Sequence, residues 1–160
     1  MMAADRFRLV EAGAAHADRL VFLLRAAFDE YRERLDPPSG VHAETRDTIQ
    51  HRLETGHAVM ALAGGAAVGC VFYERENAHV YVARLAVLQP YRRHGLGRAL
   101  IEYVEVRARE SHSSRVRLRV RLALPKLNAY YERMGYHVIS YGMHAGCPEP
   151  TFVTMEKNVT

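Results

Sequence analysis

The residues best suited to bind a ligand form a turn rich in arginine and glycine at positions 92–97. The turn lies between a predicted strand and a predicted helix, and the first turn of a helix leaves backbone N–H groups without partners at its positive end. Gly95 and Gly97 carry no side chain, so a phosphate can approach the backbone closely, while Arg92 and Arg93 add positive charge. Each charge-assisted hydrogen bond contributes roughly 1.5–3 kcal/mol. The spacing therefore predicts a site that holds a pyrophosphate without a metal ion.

Two common phosphate-binding motifs are absent from this turn. A dinucleotide fingerprint needs a third glycine at position 100, where the chain has Leu100, and a P-loop needs Gly-Lys followed by Ser or Thr. Glycines that only shape a connection between a strand and a helix are the alternative interpretation. The two cysteines, Cys70 and Cys147, show no metal-ligand spacing, so neither a metal site nor a disulfide framework is expected.

Hydrophobic periodicity predicts the elements that position the turn. Apolar residues recur at helical spacing through residues 14–35, they alternate through residues 115–122, and a Gly64-Gly65 pair between two apolar runs predicts a hairpin. The predicted helices are 14–35, 44–55, 95–110 and 125–134, and the predicted strands are 7–11, 57–63, 66–74, 79–88, 115–122, 136–144 and 152–157. This pattern predicts one α/β domain over residues 1–160, with a mixed, mostly antiparallel central sheet of about seven strands flanked by four helices.

Two groups of charged side chains stand out on these elements. The helix over 95–110 carries Arg98 with Glu102 and Glu105 with Arg109, and pairs at i,i+4 spacing are predicted on the solvent-facing side. The strand over 115–122 places arginine at every second position from 115 to 121. We expect these four arginines to form a solvated or salt-bridged face, with an acidic partner or another subunit as the alternatives.

Bulk composition argues against several classes of protein. No apolar run follows the charged residues at the N-terminus, and the longest uncharged stretch, residues 58–73, is shorter than the roughly 18 residues of a membrane span. We therefore expect a cytoplasmic protein with reduced thiols and no membrane partner. The net charge is +4, but the basic strand lacks the interleaved aromatic residues that nucleic-acid binding favours, so no nucleic-acid partner is expected.

Two blocks of the sequence resemble the GNAT acetyltransferases. Leu85-Ala86-Val87 followed by Arg92-Arg93-His94-Gly95-Leu96-Gly97 is similar to the acyl-CoA-binding motif of that family, in which Gln or Arg, two residues, Gly, one residue, and Gly or Ala follow one another. About 35 residues further on, Tyr130-Tyr131-Glu132-Arg133-Met134-Gly135-Tyr136 resembles the family's Leu-Tyr-Glu-Lys-Leu-Gly-Phe run. Both blocks stand in the family's order and in the matching types of element.

The resemblance implies acetyl-CoA as the acyl donor and a role for each block. The pyrophosphate would be bound by the turn, that is by Arg92, Arg93, His94, Gly95, Leu96, Gly97 and Arg98. The backbone of Leu85, Ala86 and Val87 would pair with the pantetheine arm in a split between the fourth and fifth strands. Asn128 would be a further contact with the coenzyme, and Tyr131 matches the family tyrosine that can protonate the departing thiolate.

The implied reaction is direct attack of a neutral amine on the thioester. A lysine-like amine has a pKa near 10.4, so at neutral pH its free base is disfavoured by about three pKa units, or roughly 4–5 kcal/mol. A general base would help, and the family often places a glutamate on the fourth strand, where residues 79–84 contain no acid. The proton acceptor is left open among Glu74, Glu76, His79, Tyr81 and His144.

The charge distribution indicates the kind of amine. Residues 11–56 carry nine acids against six bases, and the acids Asp29, Glu30, Glu33 and Asp36 would favour a cationic acceptor, either a small molecule or a peptide amine. A coenzyme-A-binding regulator or sensor without turnover is the alternative function, and an interaction domain without a coenzyme site is the third. The oligomeric state is left open, with a homodimer through the final strands as one candidate.

Overall fold

The computed structural model describes residues 7–160, and this part of the chain contains four α-helices and seven strands. The helices are α1 (Ala17–Phe28), α2 (Arg46–Thr55), α3 (Leu96–Glu110) and α4 (Pro125–Arg133). The strands are β1 (Arg8–Glu11), β2 (His57–Ala63), β3 (Ala66–Glu76), β4 (His79–Val87), β5 (Arg115–Arg121), β6 (His137–Gly142) and β7 (Phe152–Asn158).

The seven strands form one sheet in the order β1-β2-β3-β4-β5-β7-β6. The pairs β1-β2, β2-β3, β5-β7 and β6-β7 are antiparallel. By contrast, β4 and β5 run parallel, with residues 79–82 paired in order with residues 115–118. These observations confirm the predicted α/β class and the mixed, mostly antiparallel sheet of seven strands with four helices.

The chain forms two compact units. Unit 1 contains the residues up to Glu74 together with Arg84–Val104, and unit 2 contains Arg75–Ala83 together with Glu105–Thr160. Unit 1 therefore holds α1, α2 and the glycine turn, whereas unit 2 holds α4, β5, β6 and β7. The assignment of residues 1–160 to a single domain stays a prediction.

The core of unit 1 forms where α1 and α2 cover the central strands. Leu20, Leu23 and Leu24 are buried on α1, as the helical spacing of apolar residues predicts. They belong to one buried cluster with Ile49 of α2 and Met60 of β2. Burial of these side chains supplies the apolar area that holds the two helices on the strands.

The end of α1 differs from the prediction, which continued this helix to about residue 35. The α-helix ends at Phe28, a 3₁₀ turn follows over Asp29–Tyr31, and Glu33 adopts a positive φ of 67°. The carbonyl of Ala27 accepts a hydrogen bond from the Arg92 guanidinium at 3.0 Å. A cation that caps the last carbonyls favours a helix end at this point, and no apolar spacing within the helix could indicate it.

The beginning of α2 is also later than predicted, at Arg46 instead of residue 44. Thr45 is the N-cap, and it exchanges hydrogen bonds with Thr48 in a capping box. Glu44 lies just outside the helix with its carboxylate buried, and this carboxylate accepts a hydrogen bond from Arg52 at 2.9 Å. Glu44 therefore precedes the helix instead of beginning it, and its carboxylate joins the preceding loop to Arg52 of α2.

Unit 2 contains a carboxylate that is buried, although its position on α3 predicts exposure to solvent. Arg98 and Glu102 lie 3.6 Å apart on exposed positions, as expected, but Glu105 is only 4% exposed. The Tyr136 hydroxyl donates to Glu105 at 2.8 Å, and the Lys157 ammonium donates to both carboxylate oxygens at 3.1 Å. Burial, followed by the charge and hydrogen bond of Glu105, raises the pKa of Tyr136. The predicted pairing of Glu105 with Arg109 on the helix surface is wrong, because partners from β7 and the α4–β6 connection bury the carboxylate.

Replacing Lys157 by methionine tests this buried ion pair, because methionine keeps an aliphatic chain but removes the ammonium. The Lys157 side chain is 30% exposed, so we expect the free energy of unfolding to fall by about 2 kcal/mol, less than for a fully buried pair. Urea denaturation of Lys157→Met beside Lys126→Met measures the difference. Lys126 is exposed in the first turn of α4, where a change within about 0.5 kcal/mol is expected. Equal losses in both variants would contradict the role of Lys157.

Candidate functional site

The glycine turn of unit 1 leaves its backbone open at the start of α3. Arg93 and Gly95 adopt positive φ angles of 66° and 79°, and Arg93 and His94 are exposed. Apart from the two chain neighbours, no atom of residues 7–160 lies within 4 Å of the position that a Cβ would occupy at Gly95. A ligand can therefore approach this backbone closely, next to a guanidinium and to the N–H groups at the positive end of the helix.

Three further residues of the predicted pyrophosphate site belong to α3 itself. Leu96 is buried and Gly97 is half-buried in the first turn, whereas Arg98 is exposed. The side chain of Leu96 therefore packs in the protein, and what this residue and Gly97 offer to an anion is backbone N–H. Arg98 lies 3.6 Å from Glu102, so part of its charge is already matched.

The guanidinium of Arg92 is engaged within unit 1. Its Nε donates to the Val87 carbonyl at 2.8 Å, its Nη2 donates to the Ala27 carbonyl at 3.0 Å, and its Nη1 forms an ion pair with Glu30. All three nitrogens thus have acceptors, and the side chain ties the glycine turn to β4 and to the end of α1. Sequence reasoning missed this role because Ala27 and Arg92 are 65 residues apart and the acceptor is a backbone oxygen.

The segment predicted to pair with a pantetheine arm is the end of β4. Leu85 and Val87 are half-buried, and Ala86 is buried in the core of unit 1. These residues follow the part of β4 that is paired with β5. The Val87 carbonyl already accepts from Arg92, which leaves that oxygen one further lone pair for a ligand.

Asn128 and Tyr131 lie three residues apart on α4, in unit 2. The Oδ1 of Asn128 is closed to solvent and has no hydrogen-bond partner among residues 7–160. Buried acceptors are paired in the great majority of cases, so this atom fits a donor from a ligand. Tyr131 is buried, and the rings of Tyr130 and Tyr136 pack edge-on against it with centroids 5.3 and 6.0 Å away.

Three of the candidate proton acceptors lie near the turn that joins β3 and β4. The Oε2 of Glu76 and the Nε2 of His79 are 3.3 Å apart, so these two side chains pair with each other. Glu74 lies on β3, two residues before Glu76. Glu76 and His79 are therefore engaged with each other across the turn.

The other two candidates, Tyr81 and His144, lie near arginines of β5. The Arg119 guanidinium carbon is 5.8 Å from the centre of the Tyr81 ring. Partial desolvation, followed by the charges of Arg121 and Arg119, lowers the pKa of His144. The imidazole of His144 is therefore neutral at pH 7, which is the form that can accept a proton.

Two of the four acidic residues near the end of α1 have basic partners. Glu30 pairs with Arg92, and Asp29 lies 3.2 Å from Arg32. Glu33 and Asp36 are exposed. A cationic acceptor stays a prediction, and the pairs reduce the net negative charge on which it was based.

The cysteines lie in different surroundings, and both are free. Burial raises the pKa of the Cys70 thiol to about 12, so this thiol does not ionise at neutral pH and is no nucleophile. In residues 7–160, no set of three or more His, Cys, Asp and Glu side chains is arranged to hold a metal ion. The helices of the same residues include none that is long and apolar enough to cross a membrane.

Residues 21–136 match the Acetyltransferase (GNAT) family. The match covers more than half of the chain and includes the glycine turn, Asn128 and Tyr131. No curated protein sequence matches the chain.

Solved structures of acetyltransferases share the fold. The PaiA N-acetyltransferase from Thermoplasma acidophilum, solved in complex with coenzyme A, has a TM-score of 0.80 at 13% identity, over 95% of this chain and 98% of that one. A GNAT-family acetyltransferase from Staphylococcus aureus Mu50 has a TM-score of 0.76 at 16% identity, over 96% and 99%. The ribosomal-protein-S18-alanine N-acetyltransferase from Escherichia coli has a TM-score of 0.75 at 17% identity, over 96% and 94%. At these identities the likeness concerns the fold alone.

Replacing Arg92 by methionine tests whether this side chain holds the turn in place. The change removes two hydrogen bonds to carbonyls and leaves Glu30 without its countercharge, so we expect the free energy of unfolding to fall by about 2–3 kcal/mol. Arg93→Met is the matched control, because the neighbouring side chain is exposed and a change within about 0.5 kcal/mol is expected. Urea denaturation of both variants measures the effect, and a greater loss for Arg93→Met would refute it.

Proposed function

This chain belongs to the Acetyltransferase (GNAT) family, whose members use acetyl-CoA, and we propose that it transfers the acetyl group to a primary amine by direct attack. The observation that carries the proposal is the open backbone at Gly95, next to Arg93 at the start of α3. A side chain at position 95 would fill the space that a pyrophosphate needs, and the residue there is glycine.

The pyrophosphate is bound, in this proposal, by the positive end of α3 and by the turn before it. Arg93 and His94 are exposed and offer side-chain donors, and Gly95, Leu96 and Gly97 offer backbone N–H groups. Arg92 contributes by holding the turn through Val87 and the end of α1, and Arg98 adds charge at the rim.

The end of β4 is the segment that we propose to pair with the pantetheine arm. Leu85, Ala86 and Val87 present strand backbone, which can pair with the amide groups of an extended ligand. The buried Oδ1 of Asn128 supplies an acceptor for one amide N–H, which supports its assignment to the coenzyme site.

The bound coenzyme supplies an acetyl thioester, and side chains of the protein donate and accept the protons. The amine nitrogen forms a bond to the acetyl carbon, the carbon–sulfur bond breaks, the thiolate takes a proton and the amine loses one. Tyr131 donates the proton to the leaving sulfur. Because its ordinary pKa of about 10 lies above that of a thiol, near 8.5, its help is modest. Among the candidate proton acceptors, His144 has a lowered pKa, which favours the neutral imidazole that can accept a proton.

A coenzyme-binding regulator or sensor without turnover is the second candidate function. The observation in its favour is the sequence of β4, which carries no acid between His79 and Val87. A regulator would bind acetyl-CoA but acetylate no amine, so binding and turnover have to be measured separately.

Calorimetric titration with acetyl-CoA tests the coenzyme site. We expect binding in the micromolar range for the unaltered protein, and about tenfold or more weaker binding for Gly97→Glu, because a carboxylate would meet the pyrophosphate at the start of α3. Val106→Glu is the matched control, because it adds the same charge to an exposed position of the same helix. Unaltered protein that does not bind acetyl-CoA would refute the proposed function.

Replacing Tyr131 by phenylalanine tests the proton donor. We expect kcat to fall about tenfold to a hundredfold with acetyl-CoA affinity unchanged, since the donated proton matters in the reaction and not in binding. Tyr130→Phe, one residue away, is the control and should keep the original kcat. Release of free thiol during acetylation of a panel of amines gives the rates, and equal rates for the two variants would exclude this role of Tyr131.

A further inference from the structure

Unit 2 carries a basic, aromatic-walled surface whose arginines have no role in the proposed acetyl transfer. We call it the Arg119 surface and define it by Tyr81, Arg119, Arg121, His144 and Phe152. The Arg119 guanidinium lies between two rings, with its carbon 5.8 Å from the centre of Tyr81 and 4.7 Å from the centre of Phe152. Stacking of this kind restricts a guanidinium to few orientations and leaves its edge N–H donors available.

The neighbouring strands place the other members of the surface. Arg121 is the register partner of Phe152 across β5 and β7, so their side chains lie on the same face of the sheet. The Phe152 ring also packs edge-on against His144, with centroids 5.2 Å apart. A Cβ at Gly142 would collide with the Phe152 ring, so this glycine allows the ring to lie across β6.

Two of the arginines on this face of β5 share a carboxylate partner, and Arg119 does not. Glu156 lies 2.6 Å from Arg117 and 3.8 Å from Arg115, which confirms the predicted salt-bridged face for these two arginines. Arg119 has no carboxylate partner among residues 7–160, and its contacts there are the two aromatic rings. The positive charge of Arg119 thus lies beside the rings without a carboxylate partner among these residues.

The pKa of His144 is affected by the same arginines. Its Nδ1 lies 2.5 Å from the Thr151 hydroxyl, so the imidazole is held in place at the edge of the surface. After partial desolvation, the charges of Arg121 and Arg119 contribute to the lowered pKa of this histidine. A positive potential therefore extends over the space between the two arginines and the imidazole, where an anion would be stabilised.

We propose that the Arg119 surface binds an anionic group of the acceptor, so that the acceptor is an amine that also carries a carboxylate or a phosphate. This inference rests on the proposed acetyl transfer and names the substrate class for it. Carboxylates and phosphates match the planar fork of a guanidinium, and the Tyr81 and Phe152 rings give an apolar wall for the rest of the molecule. Tyr81 lies on β4, four residues before Leu85, on the strand assigned to the coenzyme.

Matched sets of amines separate the anionic group from the remainder of the acceptor. For the carboxylate, the set is phenylalanine, phenylalaninamide and phenethylamine, which share the amine and the phenyl ring. For the phosphate, the pair is phosphoethanolamine and ethanolamine. We expect a higher kcat/KM for the anionic member of at least one set, and the set that shows it identifies the anionic group.

Variants of Arg119 connect the preference to the surface. Arg119→Gln should lower kcat/KM for the anionic amine about 10- to 100-fold, the equivalent of one charge-assisted hydrogen bond, and should leave the uncharged amines within about twofold. Arg119→Lys keeps the charge but loses the fork, and should give an intermediate value. Arg115→Gln is the matched control, because this arginine lies on the same face of β5 but beside Glu156, and it should retain the preference.

A binding measurement keeps the test independent of turnover. Calorimetric titration of the same amines into the coenzyme A complex should show binding of the anionic member to the unaltered protein and its loss in Arg119→Gln. Equal use of anionic and uncharged amines, or equal effects of Arg119→Gln and Arg115→Gln, would overturn the substrate class while leaving acetyl transfer intact. Failure to bind any anionic amine would also overturn it, whereas failure of the proposed function is recognised separately by the absence of acetyl-CoA binding.

Discussion

Arg92 connects three parts of unit 1 that are distant in sequence. Its guanidinium donates to the carbonyls of Val87 and Ala27 and pairs with Glu30, so the end of β4, the end of α1 and the turn before α3 are held by one side chain. Hydrogen bonds to a charged donor are among the stronger polar contacts in proteins. The position of the glycine turn, and with it the open backbone at Gly95, depends on this contact.

Two other charged groups in the described part of the chain are buried, and each is likewise paired with hydrogen-bonding partners. Glu44 in unit 1 meets Arg52, and Glu105 in unit 2 meets Lys157 and the Tyr136 hydroxyl. A buried carboxylate without such partners would be strongly destabilising. Among residues 7–160, the Asn128 Oδ1 has no hydrogen-bond partner and the Arg119 guanidinium has no carboxylate partner, and both lie in regions to which we assign a ligand.

Much of the fold followed from local pattern. Helical spacing, the Gly64-Gly65 hairpin and strict alternation on β5 predicted all four helices and all seven strands, because these signals arise from which side of each element is buried. The errors lie at helix ends and on one helix face. α1 ends at Phe28 because a distant cation caps it, and Glu105 is buried because Tyr136 and Lys157 come from other elements. Helical periodicity describes contacts within an element, and these contacts join different elements.

The sequence alone determined the kind of chemistry: a glycine turn at a helix start, the Tyr131 block that follows it, and hence the family and its acetyl donor. These signals are local, since a few consecutive residues determine the glycine spacing and the backbone geometry of a turn. Only the tertiary structure decided what the arginines do, because their acceptors are carbonyls, carboxylates and rings contributed by other elements. It assigned Arg92 to holding the turn, Arg117 to Glu156, and Arg119 to a position between two aromatic rings. The three arginines have identical side chains, and their different partners arise only when the chain folds.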